Sequence, residues 1–195
     1  MFRDELADLY DAEQQILKAL PKMIAATTAS ELKNALEQHR QATEGQVKRL
    51  EQIFESEGKP APKKCKGMAG VLAEGDEILE ENYEGEVRDA GIIGAAQRVE
   101  HYEIAAYGTA RAFAEQLGKD DAVQLLQETL DEEKEADQLL TEIAEGAINV
   151  EAATEERDGE QPEKHSRRSR TKAANGGRAR RKTARRRRST SSSRR

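Results

Sequence analysis

Along the first 150 residues, apolar side chains recur every three or four positions. That spacing places them on one face of a helix. Phe2, Leu6, Leu9, Ile16, Leu20 and Met23 predict a helix over about 2–26, with Pro21 as a point of bending. Thr28 followed by Glu31 has the form of a capping box, so a second helix should begin there. Leu32, Leu36, Val47, Leu50, Ile53 and Phe54 carry it to about residue 57, where Gly58 and Pro60 stop it. "GKPAPKKCKGMAG" reads as a linker and "MAGVLAEGDEILEEN" as a short crossover helix. Ile92, Ile93, Ala96, Val99, Ala106, Ala110 and Phe113 predict a third long helix over about 86–117, ended by Gly118. Asp120 can cap a fourth over about 121–147, with Val123, Leu126, Leu130, Leu140 and Ile143 inward. No alternating strand pattern competes with these stripes.

Two helical hairpins joined by one long crossover predict an all-α fold: a ferritin-like four-helix bundle over 1–149, with a short helix in the crossover. Beyond about 150 the pattern dissolves. Residues 150–195 have almost no apolar side chains to offset ordering entropy and read as a disordered tail.

Charge sharpens that division. The net charge of −6 hides a split, because residues 164–195 hold 15 of the 32 Lys and Arg and no Asp or Glu. Residues 1–163 therefore hold 17 basic and 38 acidic residues, a net of −21. No apolar run approaches a membrane span, and "MFRDELADLY" lacks the layout of a signal peptide. Cys65, the single cysteine, cannot form an internal disulfide and reads as a half-buried linker residue. A cytoplasmic location is expected.

Extending each stripe in steps of three and four turns up polar residues inside it. The first helix reads Leu6, Leu9, Glu13, Ile16, Leu20, and the second Leu36, His39, Thr43, Gln46, Leu50. In the third, Ala96, Glu100 or Glu103, Tyr107 and Ala110 fall on or beside the seam; in the fourth, Leu130, Glu133, Asp137 and Leu140 do. Glu13 to Gln46 and Glu100 to Glu133 are both 33 residues apart, so comparable hairpins would set these groups at comparable heights. Carboxylates cannot share an apolar core as unpaired charges. They must be protonated, paired with cations or bound to metal, and an oxygen-rich set with imidazole suits iron or manganese.

Five stretches carry a resemblance: "LYDAEQQILKALPKM", "HRQATEGQVKRLEQIF", "KKCKGMAGVLAEGDEIL", "EVRDAGIIGAAQRVEHYEIAAYGTARAFAEQLG" and "LLQETLDEEKEADQLLTEIA". Over about residues 2–148 the chain resembles the ferritin-like YciE/YciF stress-protein family, while the tail lies outside the likeness. The resemblance implies a ferritin-like bundle, usually a homodimer, with a di-iron-type site between the helices and a role in stress response. By motif it places metal ligands at Glu13 in "DAEQQ", Glu100 and Glu103 in "VEHYE", and Glu132 or Glu133 in "DEEKEAD"; His39 belongs to the second helix. Relatives commonly read His-Leu-Glu-Glu-Thr where this chain reads "HRQAT", so the second acid of that pair is Ala42 here. Ala42 cannot ligate, which leaves a two-metal site weakened, reduced to one ion or lost.

The tail adds a second expectation. Arg178, Arg180, Arg181, Lys182, Arg185, Arg186, Arg187 and Arg188 can neutralise phosphates, and no aromatic accompanies them for base stacking. Binding to DNA or RNA would be electrostatic and independent of sequence; the competing reading is a tail that folds back on its own acidic body. Two functional classes therefore stand side by side. One is a metal-binding stress protein with oxidase or peroxidase-like chemistry. The other is a metal-free dimeric scaffold whose tail coats nucleic acid.

Overall fold

A computed structural model describes residues 1–159. The tail arginines named above lie outside the described residues. The helices are α1 (Phe2–Ala26), α2 (Ser30–Glu57), α3 (Lys66–Glu80), α4 (Gly85–Gln116) and α5 (Asp120–Ile143). A π-helical turn, Ala144–Ile148, leads into α6 (Asn149–Gly159). No strand occurs among the described residues. Short turns at 27–29 and 117–119 make α1–α2 and α4–α5 hairpins. α1 packs on α2 and α4, and α5 on α4 and α2, so the four long helices close a ring. The crossover helix α3 lies against α1 and α4.

The ends of the elements follow local chemistry, with departures from the sequence pattern; Asp120, expected as a cap, is the first residue of α5, whose N-cap is Lys119 with no side-chain capping bond. Gly58 and Gly118 take φ of +78° and +65° where α2 and α4 stop, a conformation that glycine adopts without strain. Thr28 and Glu31 do not form a capping box. Helix α2 begins at Ser30, and its entry is held by Asp89 of α4, a fully buried carboxylate. Asp89 accepts the Thr28 N–H at 3.0 Å, the Thr28 hydroxyl at 2.6 Å and the Ala29 N–H at 2.6 Å. A long-range acid thus does the work expected of a local motif.

Another departure is at the C-terminus. Helix continues to Gly159, ten residues beyond the boundary expected from hydropathy. Ile148 and Ala152 are buried, and α6 packs on α4. The contact is made by small and isolated apolar side chains, which leave little trace in a hydropathy pattern. A further departure is Cys65, which is fully buried. Its Sγ accepts the Met68 N–H at 3.4 Å at the start of α3 and lies 2.9 Å from the Tyr102 hydroxyl. Pro21 sits inside α1 on its exposed side, and the helix runs through it.

The apolar core is divided in two. One half gathers Ile16, Leu20, Leu36, Ile92, Val99 and Leu140. The other gathers Leu6, Leu9, Leu50, Ile53, Ala110 and Leu126. Each long helix crosses from one half to the other, and at the crossing it carries polar side chains.

A buried carboxylate and imidazole cluster

On α1, Glu13 lies between Leu9 and Ile16, which belong to opposite halves of the core. On α2, Thr43 and Gln46 lie between Leu36 and Leu50; on α4, Glu100 and Glu103 lie between Val99 and Tyr107; on α5, Glu133 lies between Leu130 and Leu140. The helical repeat that points these neighbours inward points the polar groups inward too. Glu13, Gln46, Glu103 and Glu133 are completely buried, and Glu100 is nearly so. The His39 side chain is 8 % exposed.

His39, Glu100, Glu103 and Glu133 each bring one ligand-type atom to within 4.8 Å of the others. His39 Nε2 stands 3.5 Å from Glu100 Oε1. Glu13 sits in the same layer, beside that quartet, and accepts a hydrogen bond from the Tyr107 hydroxyl. Gln46 donates its amide to Glu133 and, at 3.2 Å, to Glu132. Most of the remaining polar capacity is unused. Among the described residues, eight buried side-chain polar atoms lack a hydrogen-bond partner, and seven belong to this layer. They are Glu13 Oε2, His39 Nε2, Gln46 Oε1, Glu100 Oε2, both oxygens of Glu103, and Glu133 Oε2. Buried polar atoms are almost always satisfied, and orphaned ones call for an explanation.

The electrostatics agree with the geometry. Burial drives the Glu13 and Glu100 carboxyls well above their ordinary range, and the Glu133 charge pushes both the same way. Glu103 is raised by burial and then by Glu13, Glu133 and Glu100. Glu133 is also pushed up by burial, to about 7, with Gln46 and Arg49 restraining it. Burial lowers His39 to about 4, which leaves the imidazole neutral and able to ligate near pH 7. Tyr107 is raised by burial and by Glu13, so it remains a hydroxyl donor. Without a cation, the layer keeps its protons; with one, it offers four carboxylates and an imidazole. That donor set fits iron or manganese and contains no thiolate.

Residues 1–153 match the profile of DUF892, a domain of unknown function. The chain belongs to that family. Protein YciF of Escherichia coli strain K12 is 46% identical over 149 residues, 75% of this chain and 90% of the relative. The crystal structure of the E. coli stress protein YciF matches with a TM-score of 0.73, over 76% of this chain and 94% of that one. YcfI from Rhodopseudomonas palustris matches at 47% identity with a TM-score of 0.68, covering 70% of this chain and 88% of that one. The DUF892 match and the YciF likeness thus cover the bundle that carries the polar layer.

Of the residues singled out from the sequence, His39, Glu100, Glu103 and Glu133 are brought together, and Glu13 stands next to them. The choice between Glu132 and Glu133 resolves by direction. Glu133 faces inward, and Glu132 faces Arg49, whose Nη1 lies 2.9 Å from it. Asp137, also on the seam, is drawn outward to Gln97 and His101 at 3.2 Å each. Glu44 is exposed and pairs with Arg40. Ala42 contributes no ligand. Arg49 was not expected from the sequence. Its place one turn beyond Gln46, on the flank that meets α5, is the only hint the chain carries.

Proposed function

We propose that this protein is a metal-binding stress-response protein whose polar layer holds iron or manganese in a di-iron-type centre. The observation that supports this best is the set of seven partnerless buried polar atoms converging from four helices. His39, Glu100, Glu103 and Glu133 would hold the first ion. Glu13 adds a further acid, and four glutamates carry enough negative charge to balance two divalent ions. Ala42 leaves the second ion with fewer protein ligands and hence open to exogenous ones. A loaded centre would supply the electrons for reducing peroxide or oxygen. The protein's own contribution is to fix the donors, exclude bulk water from them, and keep Tyr107 hydrogen-bonded to Glu13. The stress connection comes from the E. coli relative.

Metal content of the purified protein tests this reading. Stoichiometric iron or manganese is expected in the wild type, with a loss of at least about tenfold in affinity for Glu100→Ala and Glu133→Ala. Substoichiometric metal that does not change in the variants refutes it.

The tail supports a second role. With 15 basic residues and no acid over 164–195, it would bind DNA or RNA through phosphates alone. Affinity of the full chain should fall steeply with salt, and a chain ending at Asp158 should lose it. Equal affinity for both chains removes the tail from the account.

A further inference from the structure

Between α2 and α5 a cavity of about 220 Å³ leads to the polar layer. Its apolar lining is Ala35, Leu36, Ala42, Ala136, Leu139 and Leu140. Leu139 is 37% exposed, so this lining continues to the surface. Its polar lining is Gln38, His39, Glu100, Glu132 and Glu135, and of these His39 and Glu100 each bring a buried atom with no hydrogen-bond partner: Nε2 of His39 and Oε2 of Glu100. Ala42 and Ala136 line it with small side chains.

The lining selects an occupant. No Lys or Arg lines the cavity, while Glu100, Glu132 and Glu135 do, and the glutamates of the layer already balance two divalent ions, so an anion finds no uncompensated positive charge there. Glu132 is already paired with Arg49, which weakens the attraction for a cation. The alanine and leucine walls offer no ligands to an inorganic ion. An uncharged molecule with an apolar body and one polar head satisfies both ends. As to size, an apolar cavity of about 150 Å³ accepts benzene, so this one admits a six-membered ring with a small substituent.

We propose that the α2–α5 cavity is the substrate pocket of the metal centre, taking a small uncharged organic molecule whose polar head lies at the His39 and Glu100 end. This rests on the metal-binding reading of the polar layer and names the substrate class for it.

Methyl NMR of the full-length protein tests the pocket, with phenol as the probe and benzoate as its anionic counterpart. Phenol should shift the methyls of Ala42, Ala136 and Leu139 saturably and leave those of Ile53 and Leu126 in place. Benzoate should bind at least about tenfold more weakly, and Ala136→Phe should weaken phenol by a similar factor. Ala136→Val is the milder variant if the phenylalanine disturbs folding. Metal content is measured on the same samples and should be unchanged in both variants. Shifts that miss these methyls, equal binding of benzoate, or undiminished phenol affinity in both variants overturn the pocket. Metal uptake without phenol binding overturns the pocket and leaves the centre standing. Phenol binding without metal uptake overturns the centre, and with it the pocket's role as a substrate site.

Discussion

At the scale of single residues, the polar layer shows which facts a helix pattern can carry. Glu13, Glu100, Glu103 and Glu133 were visible because each interrupts an apolar stripe at helical spacing. Glu132 and Glu133 were not separable, because adjacent residues differ by about 100° around a helix and a small change of register exchanges them. Their separation depends on Arg49, which claims Glu132 at 2.9 Å and leaves Glu133 to the interior. Tyr107 is the residue whose role changes most. It is 1% exposed and packs in the core, yet its hydroxyl donates a hydrogen bond to Glu13. Tyr107→Phe keeps the ring and removes that donor. The metal-free protein should lose about 1–3 kcal/mol in urea unfolding, the range for stranding a buried polar group. An unchanged midpoint would show that the bond contributes nothing.

At the scale of elements, the existence and order of the helices were legible, because each of the four long ones buries a stripe at helical spacing, while α3 fully buries only Met68. The starts of helices were less so. A capping box is a local signal, and here it lost to Asp89, which lies 61 positions from Thr28 in the chain. The acid accepts three hydrogen bonds within 3.0 Å at the entry of α2 and pins that entry to α4. Asp89→Ala leaves those donors unpaired and should destabilise the bundle by about 1.5–3 kcal/mol, as expected for bonds to a charged group. Glu31→Ala, which removes the exposed partner of the absent box, should fall within about 0.5 kcal/mol of wild type. Chemical denaturation of both variants checks the pair; equal effects would contradict the assignment. The end of the fold was missed for a related reason, since α6 is held by Ala152 and neighbouring small contacts rather than by a stripe.

At the scale of the whole molecule, the bundle carries a layer of buried acids whose ionisation opposes its stability. The folded-state values of Glu13, Glu100, Glu103 and Glu133 all lie above the ordinary 4.5. Groups raised in this way contribute stability that is present below about 4.5 and lost as pH rises through the folded values, with Glu133 at about 7. His39 acts in the other direction, since its lowered value costs stability only below its ordinary 6.5. Between pH 6.5 and 8, therefore, the Tm of metal-free protein should fall as pH rises, and added Mn²⁺ should raise Tm more at pH 8 than at pH 6.5. A metal-free Tm that climbs over this window contradicts the burial of protonated acids. Among the described residues, no helix is long and apolar enough to cross a membrane, so the division of charge along the chain is the other molecular-scale feature of interest. It was legible from the positions of the charges along the chain, which the net charge of the whole hides.

The proposed function requires these four helices to enclose a metal centre. Anomalous diffraction from crystals of the full-length protein grown with iron or manganese tests it most directly. An anomalous peak is expected among His39, Glu100, Glu103 and Glu133, and a second beside Glu13 when two ions bind. A polar layer with no anomalous density, in crystals whose only peaks lie at exposed acids, would contradict it.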